Sequence, residues 1–206
     1  MASARFEALK ERVATDFAAL AYNNGSVRHV LQGICHQARP LKLYDLGERY
    51  VSVEAPTERQ VAFNFADIAH DNYHTMRLIT MAAGTVLPMK KMTGPYGFMK
   101  VVGGMALFHR YTPIDFADGQ QRVLSLPSEL RDSNRLQGAM FWTEGIGNIV
   151  TVSALYSKLS VLVVEATARE NDGPVFYCPN QWDGAGILLV HPIDPPVSWQ
   201  AAVVDY

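Results

Sequence analysis

Apolar residues near the start of the chain recur at steps of three and four, a spacing that lines them along one face of a helix. They are Phe6, Leu9, Val13, Phe17 and Leu20. A second set follows Ser26, a residue type that caps helices, and ends before Pro40, which cannot continue one. Its members are Val27, Val30, Leu31, Ile34 and Cys35. The pattern predicts two amphipathic helices within residues 1–40.

From Leu41 onward, the apolar positions form short β-prone runs about ten residues apart, separated by Gly, Pro, Asn and Asp. These runs are Val61–Phe65, His74–Met81, Met99–Val102, Met105–Tyr111, Ile149–Val152, Leu159–Ala166, Val175–Cys178 and Ile187–Val190. Short strands at this spacing indicate an antiparallel sandwich or barrel and not alternating strand–helix units. Because no interdomain linker is visible, the chain is predicted to form one domain over residues 1–206. Helices occupy residues 1–40 and a β-barrel occupies residues 41–206.

Composition and charge narrow the classes of function. Hydrophobic residues make up 49% of the 206 residues and charged residues 18%, enough apolar material for a sizeable core. A formal net charge of -2 gives no basic face to neutralise phosphates, so no nucleic-acid partner is expected. The apolar runs are far shorter than the roughly 20 residues that a membrane-spanning helix needs, so no membrane span is expected.

Cysteine usage and the first helix bear on the compartment. Cys35 and Cys178 make neither a disulfide framework nor a paired-cysteine metal site, which indicates a reducing, intracellular compartment with the cytoplasm as the default. The first helix is amphipathic and carries arginines, but Glu7, Glu11 and Asp16 are residue types that mitochondrial presequences avoid. A mitochondrial location stays open as an alternative.

A glycine turn followed by a β-prone stretch stands near the middle of the chain. The stretch runs from Ala83 to Pro95, and a glycine pair, Gly103-Gly104, follows it. It resembles the first cupin motif, in which a strand carries His-x-His and a hairpin leads to a second glycine. Because alternate strand residues face the same side, such a pair points two imidazoles into the barrel. A third His from a later strand completes one face of a ferrous site and leaves coordination positions open.

The chain is similar over nearly its whole length to the cysteamine dioxygenase and plant cysteine oxidase family of thiol dioxygenases. The similarity rests on the order and spacing of short elements. They are Arg5–Lys10, Lys42–Gly47, Leu87–Met89, Gly104–Tyr111, Gly147–Ile149, Leu159–Val164, Glu170–Gly173 and Val175–Tyr177. The resemblance implies a mainly β cupin barrel (a double-stranded β-helix, or jelly roll) with a short N-terminal helical region. In that family the barrel holds Fe2+ and oxidises a thiol.

The chain departs from this family at the metal ligands. Lys90 and Met92 stand where the family has its two barrel histidines, and Val150 stands where it has the third. A protonated ammonium offers no lone pair, a thioether is a poor ligand for ferrous iron, and an isopropyl group offers nothing. The sequence therefore predicts a pseudoenzyme with no catalytic residue, no metal and no cofactor. A dioxygenase that holds Fe2+ through a non-standard site is the alternative.

The remaining histidines do not replace the missing ligands. His70 and His74 have the i, i+4 spacing that chelates a metal on a helix, but they flank a turn between two predicted strands. Both are therefore expected in solvent at a hairpin tip. His109 follows a barrel strand and has no histidine at ligand spacing.

Lys90 is the most informative of the replaced positions. Its stem points into the barrel if the register holds, and a buried ammonium must be paired, reach water or lose its proton. One interpretation is a small-anion pocket formed by Lys90 with Met92, His109 and Tyr177. In the other, Lys90 pairs with an internal carboxylate or extends to the barrel mouth.

Three functions follow from these observations. The first is an inactive thiol dioxygenase-like cupin that serves as a structural or interaction subunit of a larger assembly, so that its partners are other proteins. Apolar residues at Phe141-Trp142 and at the end of the chain favour it. Those at the end are Trp199, Val203, Val204 and Tyr206. The second is the iron-dependent thiol dioxygenase with a non-standard site, and the third is a barrel that binds a small anion around Lys90.

Overall fold

The chain forms helical elements first and β-strands afterwards. The computed structural model describes residues 1–22, 25–57, 61–117, 119–136, 139–167, 175–182, 187–193 and 200–203. The helical elements are α1 (Ala4–Ala21), α2 (Val27–Gln37), a 3-10 turn (Leu43–Leu46) and α3 (Glu48–Val51). The strands are β1 (Val61–His70), β2 (His74–Met81), β3 (Val86–Lys91), β4 (Tyr96–Gly103), β5 (Met105–Ala117), β6 (Gln120–Ser125), β7 (Glu129–Asp132), β8 (Met140–Thr143), β9 (Ile149–Ala154), β10 (Leu159–Ala166), β11 (Phe176–Trp182), β12 (Ile187–Ile193) and β13 (Gln200–Val203).

The N-terminal helices form where the apolar spacing predicts them. Helix α1 is capped by Ser3, whose Oγ accepts a hydrogen bond from the Phe6 N–H at 3.2 Å. All the apolar residues predicted on its inner face are buried, and so are Leu31, Ile34 and Cys35 of α2. Within the described residues, no helix combines the length and the apolar composition that crossing a bilayer requires.

The barrel begins at Val61 and not at Leu41, because further helical turns come first. The Asp45 carboxylate accepts a hydrogen bond from the Lys42 N–H at 2.9 Å, which closes the 3-10 turn. Gly47 then takes a φ of 102°, a conformation that favours glycine, and α3 follows it. These turns depend on single residues, so apolar periodicity does not reveal them.

Two sheets face each other. One has six strands in the order β13-β1-β2-β10-β4-β8, and the other has seven in the order β6-β12-β11-β3-β9-β5-β7. Antiparallel neighbours such as β2–β10 and β3–β9 are far apart in the sequence, which is the strand arrangement of a jelly roll. The predicted fold class, a mainly β cupin-type barrel with short N-terminal helices, is confirmed. The Glu170–Gly173 element lies outside the described residues.

Part of the seven-stranded sheet closes on itself. Strand β6 pairs with both β12 and β5, so β5, β6, β12, β11, β3 and β9 form a closed antiparallel barrel. One apolar cluster draws buried residues from each of these six strands and therefore fills this barrel. It consists of Met89, Tyr111, Val123, Ile149, Tyr177, Leu188 and Val190.

Two further apolar cores lie on the faces of the six-stranded sheet. The central core lies between this sheet and strands β3, β9 and β5, and it includes Met92, Phe108, Trp142, Val150 and Val163. The helical core lies on the opposite face of the sheet, where α1 and α2 pack on it. Alternation along the strands produces this division, since successive side chains point to opposite faces.

A cluster of one carboxylate and two guanidinium groups lies where the two sheets meet. The Glu129 carboxylate of β7 accepts hydrogen bonds from Arg110 of β5 at one oxygen and from Arg131 at the other. Arg110 also donates to the Phe141 carbonyl of β8 at 3.3 Å. One guanidinium therefore contacts strands of both sheets, and one carboxylate pairs with two guanidinium groups where solvent access is limited.

Replacing Phe17 by Ala is expected to lower the free energy of unfolding by about 3–5 kcal/mol, because the ring is fully buried against Tyr96 and His74 of the sheet. Phe116→Ala is the matched control, since Phe116 is 60% exposed and its loss should change stability by under about 0.5 kcal/mol. Urea unfolding followed by circular dichroism measures both. Equal losses would contradict the packing of α1 in the core.

Candidate functional site

Strand β3 carries the residues that the sequence singles out, and a bulge sets which way they face. From Leu87 to Lys90 strand β3 advances three residues while its partner β9 advances two. Beyond the bulge, Met89 packs in the closed barrel and Met92 packs in the central core. Because neighbouring strand residues face opposite sides, Lys90 shares the face of Met92.

Val150 lies directly opposite Lys90 in the register of β3 and β9. Met92 is 4% exposed and Val150 is 3% exposed, and both belong to the central core. The Met92 N–H donates to the Asn148 carbonyl at 2.7 Å, which joins the end of β3 to the start of β9. The structure thus brings Lys90, Met92 and Val150 together on the interior side of two adjacent strands.

These three side chains do not fit a ferrous ion. Non-haem iron sites use imidazole and carboxylate donors with coordination positions left open, whereas the side chains here are an ammonium, a thioether and an isopropyl group. Met92 and Val150 both pack in an apolar cluster whose side chains carry no imidazole or carboxylate. Across the described part of the chain, no cluster of three or more His, Cys, Asp or Glu side chains is placed to hold a metal ion.

A cavity of about 370 Å³ lies beside Lys90, between β3 and the strands β1, β2 and β10 of the facing sheet. Its floor is apolar, because Phe63 and Ile79 pack against the central core and Val163 belongs to it. Its rim carries charged side chains, Arg77 and Glu165, in addition to Lys90. The cavity therefore has charged side chains at its opening and apolar side chains at its base.

Two of the charged groups of this cavity, Arg77 and Glu165, make hydrogen bonds within the protein. Arg77 Nε donates to Asp67 Oδ1 at 2.7 Å, and its guanidinium lies 5.2 Å from the centre of the Phe65 ring. Glu165 Oε2 accepts a hydrogen bond from the Gly94 N–H at 3.3 Å. Among the described residues, no carboxylate oxygen lies within 4.0 Å of a Lys90 nitrogen. Lys90 therefore lines the cavity without an ion pair to a described carboxylate.

The four residues predicted to share a pocket lie in different places. Lys90 lines the cavity, and Met92 is buried in the core beneath it. His109 faces away from the central core, with Nδ1 2.8 Å from Ser128 Oγ. Tyr177 lies inside the closed barrel, where burial raises the pKa of its phenol. The separation follows from strand alternation, which sequence spacing alone does not resolve for strands that are distant in the chain.

The two histidines at i, i+4 spacing flank a hairpin turn, as predicted, but only one of them is in solvent. His70 is exposed, whereas His74 is 3% exposed and packs edge-on against Phe17. The expectation of solvent exposure is therefore wrong for His74, because α1 covers this end of the sheet. Burial acts to raise the pKa of Asp71 in the turn, but hydrogen bonds from the Tyr73 and His74 N–H groups outweigh it, and the pKa lies below its usual value.

Sequence reasoning missed the most buried lysine, Lys100 of β4. Its side chain is on the helical-core face and is 2% exposed. Burial, followed by the nearby positive charges of Lys42, Arg131 and Arg39, lowers the pKa of Lys100 to about 8. The signal was present in the sequence, since Lys100 is a single charged residue within an otherwise apolar strand, Tyr96–Gly103.

Comparisons with known proteins give likenesses at the level of the fold. No family model matches the chain, and no curated protein matches it. Among solved structures it is similar to the DMSP lyase DddQ from Ruegeria pomeroyi, with 14% identity over 56% of this chain and 51% of that one and a TM-score of 0.40. The chain thus spans about half the length of that lyase.

Two other similar structures are shorter proteins that the likeness covers more fully. The TT1209 protein from Thermus thermophilus is 13% identical over 60% of this chain and 97% of that one, with a TM-score of 0.43. A cupin superfamily protein from Desulfitobacterium hafniense is 12% identical over 55% of this chain and 83% of that one, with a TM-score of 0.36. Similarity at this level carries no statement about activity.

The depressed pKa of Lys100 predicts that its contribution to stability rises with pH between about 8 and 10.5. Below about pH 8 Lys100 is charged in both the folded and the unfolded protein, and above about pH 10.5 it is neutral in both. Between these two values the unfolded chain binds more protons than the folded chain, so the free energy of unfolding rises with pH. Urea unfolding across the window is expected to show a smaller rise for Lys100→Met than for the original protein.

The thiol of Cys35 acts in the opposite direction at the upper end of this window, because burial raises its pKa to about 12. It is present in both proteins, so the difference between their unfolding free energies isolates Lys100. Parallel pH profiles for the two proteins would contradict the burial of the ammonium.

Proposed function

We propose that this chain is an inactive thiol dioxygenase-like cupin that serves as a structural or interaction subunit of a larger protein assembly. The observation that carries the proposal is the position of Met92 and Val150, which are sealed in the central core at two of the positions where the resemblance places iron ligands. An active centre requires donors and open coordination sites there. A packed apolar core offers neither.

Met92 and Val150 stabilise the fold at positions where the resembled family has metal ligands. Burying a Val or Met side chain contributes about 1.5–3 kcal/mol relative to leaving it exposed. The replacement of ligands by Met92 and Val150 therefore favours a barrel that folds without a metal. Such a barrel keeps the shape of its scaffold and needs no bound ion to do so.

The interaction role is supported by apolar side chains on the β5–β6 hairpin. Ile114 and Phe116 lie two positions apart on β5 and are 48% and 60% exposed, and large apolar groups that stay exposed are typical of contact surfaces when they occur together. Trp142, which the sequence suggested for this role, is 2% exposed and belongs to the central core. Trp199, Val204 and Tyr206 lie outside the described residues, as does the side chain of Val203.

The purified protein is expected to take up no stoichiometric iron and to consume no oxygen with cysteamine or an N-terminal cysteine peptide, because the donor set does not fit Fe2+. Iron content after incubation with Fe2+ under reducing conditions and oxygen-electrode traces measure both. The comparison variant is Lys90→His/Met92→His/Val150→His, which restores three imidazoles on the same interior face and should bind more iron than the original chain.

Stoichiometric iron in the original protein, together with thiol-dependent oxygen uptake, would overturn the proposal in favour of a dioxygenase with a non-standard site. Iron uptake by both proteins without oxygen consumption would contradict the chemistry assigned to Met92 and Val150.

A stable partner isolated from the source cells with the original chain is expected to be lost with Ile114→Asp/Phe116→Asp, because two charges would have to be desolvated in the contact. Leu136→Asp, which changes another exposed apolar side chain, is the control and should retain the partner. Quantitative affinity purification followed by mass spectrometry gives the readout. A monomer that retains no partner in any variant would contradict the interaction role.

A further inference from the structure

We propose that the cavity beside Lys90 is a binding site for a small organic carboxylate with one aromatic ring or a branched aliphatic body. The inference goes beyond the interaction role and does not depend on it. It rests on the gradient from an apolar floor to a charged rim, on the Lys90 ammonium at that rim, and on the size of the cavity.

Polarity increases toward the cavity mouth along each of two neighbouring strands. On β2, the interior-facing residues change from Ile79 to Arg77, and on β10 they change from Val163 to Glu165. The base of the cavity is therefore lined by hydrocarbon and its mouth by charges. A ligand that fits this gradient has an apolar body directed inward and a charged group directed outward.

The positive and negative charges at the rim are equal in number once Asp67, which pairs with Arg77, is counted, and Lys90 is the cation that has no described carboxylate oxygen within 4.0 Å. Lys90 and Arg77 line it together with a single carboxylate among the described lining residues, that of Glu165. Glu165 accepts a hydrogen bond from the Gly94 N–H, and no described carboxylate oxygen lies within 4.0 Å of a Lys90 nitrogen. Arg77 uses Nε for Asp67, and a guanidinium has five N–H donors in all. An anionic group bound between Lys90 and Arg77 would gain charge-assisted hydrogen bonds.

The walls and the volume of the cavity define the rest of the ligand. Phe63 and Phe65 stand 6.4 Å apart between ring centres on one wall, which favours contact with an aromatic or branched aliphatic body. A volume of about 370 Å³ is near the lower end of the range for small-molecule sites, roughly 300–1,000 Å³. A ligand with one ring matches this volume better than a nucleotide or a peptide.

The test uses benzoate as the probe, in isothermal titration calorimetry with the metal-free full-length protein. Benzoate is expected to bind, and Lys90→Met should weaken its binding by about tenfold or more, because one charged hydrogen-bond donor is lost. Lys91→Met is the matched control, since this adjacent lysine is exposed and does not line the cavity. The Lys91→Met variant should bind benzoate with the same affinity as the original chain. Circular dichroism melting checks that each variant is folded.

Two further probes separate the parts of the recognition. Benzamide has nearly the same shape without the charge and should bind about tenfold more weakly or not at all, whereas phosphate carries the charge without the apolar body and should bind more weakly than benzoate. If Lys90→Met does not fold, Arg77→Gln replaces it with the same expectation.

No binding of benzoate to the original chain, or equal binding by the folded Lys90→Met variant, would overturn the proposed site. Equal affinity for benzamide would remove the role of charge, and equal affinity for phosphate would remove the role of the apolar floor. Because the assay needs neither iron nor a protein partner, its failure leaves the proposed interaction role untouched.

Discussion

The structure depends on a wall of three strands, β3, β9 and β5, that carries buried apolar side chains on both faces. One face closes the central core, with Met92, Val150 and Phe108, and the other lines the closed barrel, with Met89 and Ile149. Successive strand residues point to opposite sides, so these strands must carry apolar side chains on both of their faces and not only on one. A slip of one residue in any of these strands would exchange the two cores.

Because these strands face two cores, the residue types at the candidate site follow from packing. A position that faces the central core contributes to folding whatever else it does, and Met92 and Val150 meet that demand by packing. Lys90 shares their face but lines the cavity and is partly exposed. The interior of the barrel therefore changes within a few residues from a sealed core to a charged opening, and the two proposals concern these two parts.

The helices determine where charge is buried. They cover one face of the six-stranded sheet, and so Lys100 and His74, which lie on that face, are almost inaccessible to solvent. Lys90 lies across the sheet from the helices and keeps partial access. Two lysines ten residues apart thus differ in their environment because of what packs on them, and their local sequences do not reveal the difference. Desolvation then lowers the pKa of Lys100, since burial disfavours the charged form of an amine.

The sequence by itself determined the two N-terminal helices and most of the longer strands, because apolar periodicity is a local property that follows the geometry of each element. It did not predict α3 or the short strands β6, β7, β8 and β13. It identified α1 by its five-residue apolar face, placed β2 and β10 at His74–Met81 and Leu159–Ala166, and put Lys90 and Met92 on one face of a strand. The absence of imidazoles from those positions could also be read directly from the residue types.

Only the tertiary structure decided which strands became neighbours, because pairing between distant segments depends on the whole packing arrangement and leaves little trace in local pattern. It separated Tyr177 and His109 from Lys90, buried Trp142, and placed Arg77 and Glu165 beside Lys90 although they come from β2 and β10. The cavity is formed by four strands together, β1, β2, β3 and β10. A one-dimensional pattern cannot specify it, since the space between side chains exists only after the strands have assembled.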